Sequence, residues 1–263
     1  MVEFTARDVD VEESAQFTAD AADLRAGIDA LSGLLAGSLA LPDLLARVAA
    51  FTCQAIPGAD GAAVTLLRVD TKDAGVAELA ASAPFVAAID EIQYVTLDEG
   101  PGITAVRDRV AVRSGSLGGE KTWPRFGPRV GRMGVHSALA LPLLLPDRVV
   151  GAITVYAHAK DVFDRHAEEL GELFARPAAA AVHNAQLLAE ALALNAQLRT
   201  ALSARPIIDQ AIGLIRGRTG RSAEDALRQL QATSQAERRK LTEVAQLLVD
   251  EAVRRAQARN KSR

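Results

Sequence analysis

Twice in the last quarter of the chain a serine stands three residues ahead of an acid. The two strings are Ser222-Ala223-Glu224-Asp225 and Ser234-Gln235-Ala236-Glu237. A serine hydroxyl in that place accepts from an orphan backbone N–H while the acid reaches back, so each string reads as a helix start. Two starts so close together leave room for one short helix between them. Ahead of the first, Ile207, Ile208, Ala211, Leu214 and Ile215 recur at helical spacing and stop before Gly220. Behind the second, Leu241, Val244, Ala245, Leu248, Val249 and Ala252 do the same. The pattern predicts a small three-helix bundle over residues 198–255 with its apolar stripes turned inward, then a basic tail at 256–263.

Charge singles out the same stretch. From Ala196 to Arg263 there are 14 Lys and Arg against 7 Asp and Glu, a net +7, while the preceding residues hold 16 against 26, a net −10. A basic end on an acidic body suits a polyanionic partner, although a solvated helical surface would give the same count. On a helical wheel Arg205, Asp209, Gly213 and Arg216 lie opposite the apolar face of the first helix. Gly213 costs ~1 kcal/mol of helix propensity there, and a bare backbone between two arginines would let a phosphate or base come close. In the third helix the apolar face sends Arg239 and Lys240 outward, with Arg218 and Arg238 at the flanks.

The string LRTALSARPIIDQAIGLIRGRTGRSAEDALRQLQATSQAERRKLTEVAQLLV resembles the ANTAR domain, an RNA-binding module of bacterial antitermination regulators. The resemblance is carried by Ala201-Leu202, Arg205, Ile208, Gln210-Ala211-x-Gly213, Ser222, Glu224-Asp225-Ala226, Leu230, Ser234, Lys240-Leu241 and Val244-Ala245. It adds Gln210 to the RNA-facing set and implies recognition of tandem short hairpins in nascent messenger RNA, which prevents a terminator stem from forming. Two positions depart from the family pattern. Pro206 replaces an ordinary helix residue, and Ile212 replaces a common lysine, which on this reading removes one RNA-facing cation.

The front of the chain is patterned differently. Leu24, Ile28, Leu31, Leu34 and Leu35 predict a helix within residues 1–40, and Pro42 opens a second reaching about Ala55. After the turn residues Pro57 to Gly61, strands are predicted at 62–69, 76–82, 110–113, 137–145 and 149–157, the last two joined at Pro146-Asp147-Arg148. Short turns between strands, with helices before and after, give an α+β fold built on an antiparallel sheet.

Residues 41–185 resemble a GAF domain, a sensory module. The carrying residues are Gln93-Tyr94, Glu99-Gly100-Pro101, Trp123-Pro124-Arg125-Phe126, Ser137–Leu143, Gly151 to Tyr156, and Phe163-Asp164 at the exit helix. In the subgroup it is most like, a cysteine commonly follows Glu-Gly-Pro; here Gly102 stands there, so no thiol switch is available. Phe85, Tyr94, Trp123, Phe126 and Met133 are scarce large side chains in a chain with 4% aromatics. They either line a pocket for a small-molecule effector or form ordinary core. Cys53 falls on the apolar pattern of an early helix, which favours an inert thiol over a redox sensor.

A helical pattern runs from Asp164 to about Ser203, with Pro177 inside it and an interruption at Arg205-Pro206. Within it Leu187, Ala191, Leu194, Leu198 and Ala201 follow heptad spacing, so residues 186–197 read as a coiled-coil connector and the chain as a homodimer. A helix packed on its own sheet is the competing reading.

Catalysis finds no footing in the residues. His136, His158, His166 and His183 have no metal-ligand spacing, and one cysteine completes no thiolate set. The phosphate-loop and Gly-x-Ser-x-Gly patterns are missing, as is the Asn-Lys-Phe-Asp-Glu motif of cyclic-nucleotide-binding GAF domains. Neither a cofactor nor a metal is expected. No apolar run approaches the ~20 residues of a membrane span, and the acidic start lacks a leader pattern, so the expected location is cytoplasmic, with no membrane partner. The reading is a non-enzymatic RNA-binding antitermination regulator with a sensory GAF-type domain. The alternative is a ligand-binding signalling protein whose helical C-terminal bundle serves only dimerisation.

Overall fold

The computed structural model describes residues 6–35, 39–67 and 75–261. The chain divides into two compact units, Met1–Ala189 and Glu190–Arg263.

The first unit is a five-stranded antiparallel sheet flanked by helices. Helices α1 (Ala6–Leu35) and α2 (Leu41–Ala55) come first, then strands β1 (Gly61–Leu67) and β2 (Val76–Ala81). A cap follows, made of α3 (Pro84–Asp90), a π-helical turn (Glu91–Leu97) and α4 (Pro101–Asp108). Strand β3 (Val112–Ser114), α5 (Phe126–Gly131), β4 (Ser137–Leu144) and β5 (Val149–Ala157) complete the sheet, in the order β2-β1-β5-β4-β3. The α+β reading and the β4–β5 hairpin are both found. Arg68 and Val69, predicted on the first strand, lie outside the described residues, as do the side chains of Leu34 and Leu35.

Alternation along the strands gives the sheet two different faces. Val64, Leu66, Leu139, Leu141, Ile153 and Val155 join Leu24 and Leu31 of α1, Leu45 and Val48 of α2, and Phe174 in one apolar core. On the other face Ala63, Ala138 and Tyr156 meet Val86, Ile89, Trp123, Phe126 and Val130. Thr65 and Thr154 are buried too, and their small polar side chains soften a face that is otherwise apolar.

Asp164 accepts from the N–H of Ala167 at 2.9 Å and starts α6 (Arg165–Thr219), which runs on through Pro177 and Pro206. The interruption expected at Arg205-Pro206 is therefore not found. A helix already wound on both sides holds proline at the loss of one amide donor, and the apolar periodicity resumes at Ile207. Gly220, at φ 68°, ends the helix in the left-handed region.

In the second unit the last turns of α6 pack with α7 (Ala223–Glu237) and α8 (Leu241–Lys261). Ala211 and Ile215, Ala226 and Leu230, and Val244 and Ala245 are the buried pairs from the three helices. The first capping serine behaves as expected, since Ser222 Oγ accepts from Asp225 N at 3.1 Å. The second capping box is not a helix start. Ser234 lies in the last turn of α7, and its hydroxyl donates to the Arg239 carbonyl at 2.6 Å. Arg238, at φ 52°, then turns the chain into α8. A serine–acid spacing fits equally well at a helix end, where the hydroxyl finds a carbonyl in place of an amide.

Candidate functional site

The cap over the Thr65 and Thr154 face of the sheet is tied together by the two motifs read from the sequence. The Glu99 carboxylate accepts from the N–H of Arg125 at 2.7 Å, the N–H of Phe126 at 2.9 Å and Arg125 Nε at 2.9 Å. Arg125 Nη2 also donates to the Leu97 carbonyl at 2.7 Å. Burial works against ionising Glu99, yet the donors from Phe126 and Arg125 together outweigh it and hold the carboxyl below its ordinary value. Next to this clasp, Trp123 Nε1 donates to Thr104 Oγ1 at 2.9 Å, and Thr104 Oγ1 donates to the Gly100 carbonyl at 3.1 Å.

Beneath the clasp lies a buried polar cluster. Gln93, in the π-helical turn, accepts from the N–H of Gly102 at 2.9 Å. Asp90 closes α3 at 0% exposure, and its Oδ2 has no hydrogen-bond partner; nor do the buried hydroxyls of Tyr94 and Tyr156. Burial pushes the Asp90 carboxyl up to about 7, offset in part by the neighbouring Tyr156 hydroxyl. Burial likewise pushes both tyrosines up, and the Asp90 carboxylate adds to this. A Cβ at Gly102 would lie 2.2 Å from the Tyr94 oxygen. A side chain at this position would thus meet the tip of Tyr94.

The five side chains proposed for a pocket are only partly brought together. Trp123 and Phe126 are buried and meet edge to face at 6.4 Å. Phe85 packs against the same cluster, and Tyr94 enters the polar group beside it. Met133, 40% exposed, follows α5 on the surface. Asp90 was missed by sequence reasoning, and Gln93 and Tyr156 were read only as carriers of the GAF resemblance. The π-helical turn that aims Gln93 and Tyr94 has no periodicity signature. Cys53 is half-buried, 3.8 Å from Ser82 Oγ, and burial raises its thiol. Among the described residues no group of three His, Cys, Asp or Glu side chains is placed to hold a metal.

In the second unit Arg205, Gln210, Gly213, Arg216, Arg218, Arg238, Arg239 and Lys240 are all exposed. A Cβ at Gly213 would meet nothing within 4 Å, so its backbone is open to solvent. Arg239 pairs with Glu243 at 3.5 Å, an exposed i,i+4 contact worth little. Arg205, Arg216, Arg218, Arg238 and Lys240 enter no ion pair among the described residues. Ile212 packs against the bundle core. At this partly buried position Ile212 adds apolar contact to the core. Arg221 and Arg228 are two further exposed cations around a recess at the start of α7. Arg221 donates to Gln229, in the second turn of that helix, and Arg228 to Asp225, in its first turn. Arg221 stands next to the capping serine, which is the one signal that could have flagged it.

A family model of the GAF domain matches residues 38–183, and one of the ANTAR domain matches residues 196–249. No curated protein matches the chain. Among solved structures it is similar to the GAF domain of a phosphoenolpyruvate-protein phosphotransferase from Coxiella burnetii, at 15% identity over 64% of this chain and 96% of that one, with a TM-score of 0.50. The corresponding domain from Acinetobacter gives 15% identity, 64% and 97% coverage and a TM-score of 0.48. A putative GAF sensor protein from Burkholderia vietnamiensis gives 15%, 65% and 98%, and 0.48. At that identity the likeness is one of fold. No helix among the described residues is long and apolar enough to cross a membrane.

Proposed function

The chain belongs to the GAF family and ends in an ANTAR domain, the make-up of an RNA-binding antitermination regulator with a signal-sensing module, and on that premise we propose that it holds tandem hairpins of nascent messenger RNA and so keeps a terminator stem from forming. The observation that carries this reading is the set of exposed cations without carboxylate partners in the second unit, together with the open backbone of Gly213. Arg205 and Arg216 flank that glycine on α6, and Arg218, Arg238 and Lys240 follow at the junctions of the three helices. An arginine free of intramolecular partners is available to phosphate, and a bare backbone admits an unstacked loop base. In this reading the cap of the GAF domain, with its buried polar cluster, receives the signal, and α6 carries it by covalent continuity. The chain acts as a homodimer, one bundle for each hairpin.

Titration of tandem-hairpin RNA at increasing salt tests the claim. Five phosphates neutralised by Arg205, Arg216, Arg218, Arg238 and Lys240 give a slope of log affinity against log salt of about −3.5 to −4.5. Arg205→Gln with Arg216→Gln should make that slope shallower by about 1.5. Binding that ignores salt, or the absence of binding to any tandem hairpin, overturns the proposal and leaves the bundle as a dimerisation element.

A further inference from the structure

On the far side of the sheet from β2, a slot of about 190 Å³ opens between the end of β4 and α6. Its walls are apolar: Val110, Ala111, Leu141, Pro142, Leu144 and Ala175. The slot exists because β3 pairs only with Ala138 to Ala140, which leaves the rest of β4 uncovered at the sheet edge. Pro142 lies on that stretch and has no N–H to offer, so strand addition by a peptide is disfavoured. A small molecule fits better than a strand.

Two guanidiniums stand at the slot, Arg109 from the end of α4 and Arg176 from α6. Neither forms an ion pair among the described residues. Of the acids near them in sequence, Asp108 is engaged by Arg107 at 2.7 Å, Glu168 by Arg113 at 3.1 Å and Glu169 by Arg165 at 3.0 Å, which leaves Glu172, one turn before Arg176. Glu172 also lines the slot and is exposed, so the local charge sums to +1. An apolar slot with a single net positive charge and two planar donors calls for a monoanion with an apolar body. Carboxylate matches the guanidinium fork. The volume is close to the ~150 Å³ in which a benzene-sized ring is held in an apolar cavity.

The α6 wall of the slot is the turn just before Pro177. With no N–H on Pro177, the Leu173 carbonyl lacks its usual i+4 donor, and the helix is easier to bend there than at a turn without proline. We propose that this slot is a second effector site, taking a small carboxylate with a compact apolar body, an aromatic or short acyl acid, and pressing on α6 at the turn that Pro177 weakens. The coupling to α6 rests on the RNA-binding reading; the binding itself does not.

Benzoate is the probe, titrated into the full chain and followed by amide shifts, with benzyl alcohol and inorganic phosphate as the uncharged and the non-apolar controls. Benzoate should shift the amides of Val110, Ala111, Leu144 and Ala175, with both controls binding at least tenfold more weakly. Arg109→Gln with Arg176→Gln should weaken benzoate tenfold or more while the unfolding midpoint stays put, and restoring the charge as Arg176→Lys should recover part of the loss. The site is refuted if benzoate leaves those amides unmoved, if either control binds as well, or if the double variant binds like the parent. None of these readouts involves RNA, so a chain that takes benzoate and ignores hairpins removes the RNA reading and keeps the slot.

Discussion

Asp90 is a carboxyl at 0% exposure with one oxygen unpartnered, and the groups around it are Gln93 and Tyr94 from the π-helical turn and Tyr156 from β5. None of these is cationic. An isolated buried carboxylate is costly enough that the group keeps its proton instead, which is why it titrates near 7 and not at its ordinary 3.8. Raised folded affinity for a proton means the stabilisation is complete below about pH 4. It is lost as the pH climbs to about 7, when the folded protein must also ionise. Three units at ~1.4 kcal/mol each put the loss on the order of 4 kcal/mol. Asp90→Asn keeps the shape, removes the ionisation and offers an amide to the two tyrosine hydroxyls. Urea midpoints of the parent should therefore fall between pH 5 and 7 and level off above, whereas the variant should stay level across the same range. Parallel curves for the two proteins would show that Asp90 is not the group responsible.

At the scale of elements, the two serine–acid strings show what a local pattern can and cannot decide. Ser222 caps α7 by accepting from Asp225 N, and Asp225, held ionised by Arg228 and by the Ser222 hydroxyl, sits in the first turn where the helix dipole favours it. Ser222→Ala should lower the stability of the second unit by about 1 kcal/mol. Ser234→Ala should cost less, because its bond to the Arg239 carbonyl is exposed. Thermal unfolding of the two variants checks the order, and a larger loss at Ser234 would restore it as a helix start. Strand positions, the β4–β5 hairpin and the helix stop at Gly220 were all legible, because alternation, turn chemistry and a left-handed residue are local facts. The continuity of α6 through Pro206 was not, since a proline weakens a helix without saying whether packing on both sides will hold it. The polar cluster was hidden for a related reason. Asp90, Gln93 and Tyr94 lie within 4 positions of one another but 62 to 66 from Tyr156, and they meet it only when the π-helical turn lies over the face of β5.

For the whole molecule, the decisive surface is the middle of α6. Leu187, Leu188, Leu192, Leu194 and Leu198 are each at least half exposed, a density of bare leucine that a chain keeps when another surface covers it. Leu187, Leu194 and Leu198 follow the predicted heptad seam, and Leu188 and Leu192 widen it. A second copy of the same helix is the partner we propose, because it presents the matching stripe. A dimer would carry two copies of the basic bundle on one scaffold. The second hairpin of a tandem pair would then be bound intramolecularly, a gain of about 10² to 10⁴ in apparent affinity over one bundle alone. Leu194→Glu with Leu198→Glu places like charges across the seam and should give a monomer by light scattering. That monomer should bind RNA containing one hairpin as well as the parent does, and RNA containing two at least ~100-fold more weakly. If the double variant remains a dimer, the seam lies elsewhere. If it becomes a monomer and still holds the tandem RNA as tightly, one bundle suffices and the pairing of hairpins has no counterpart in the protein.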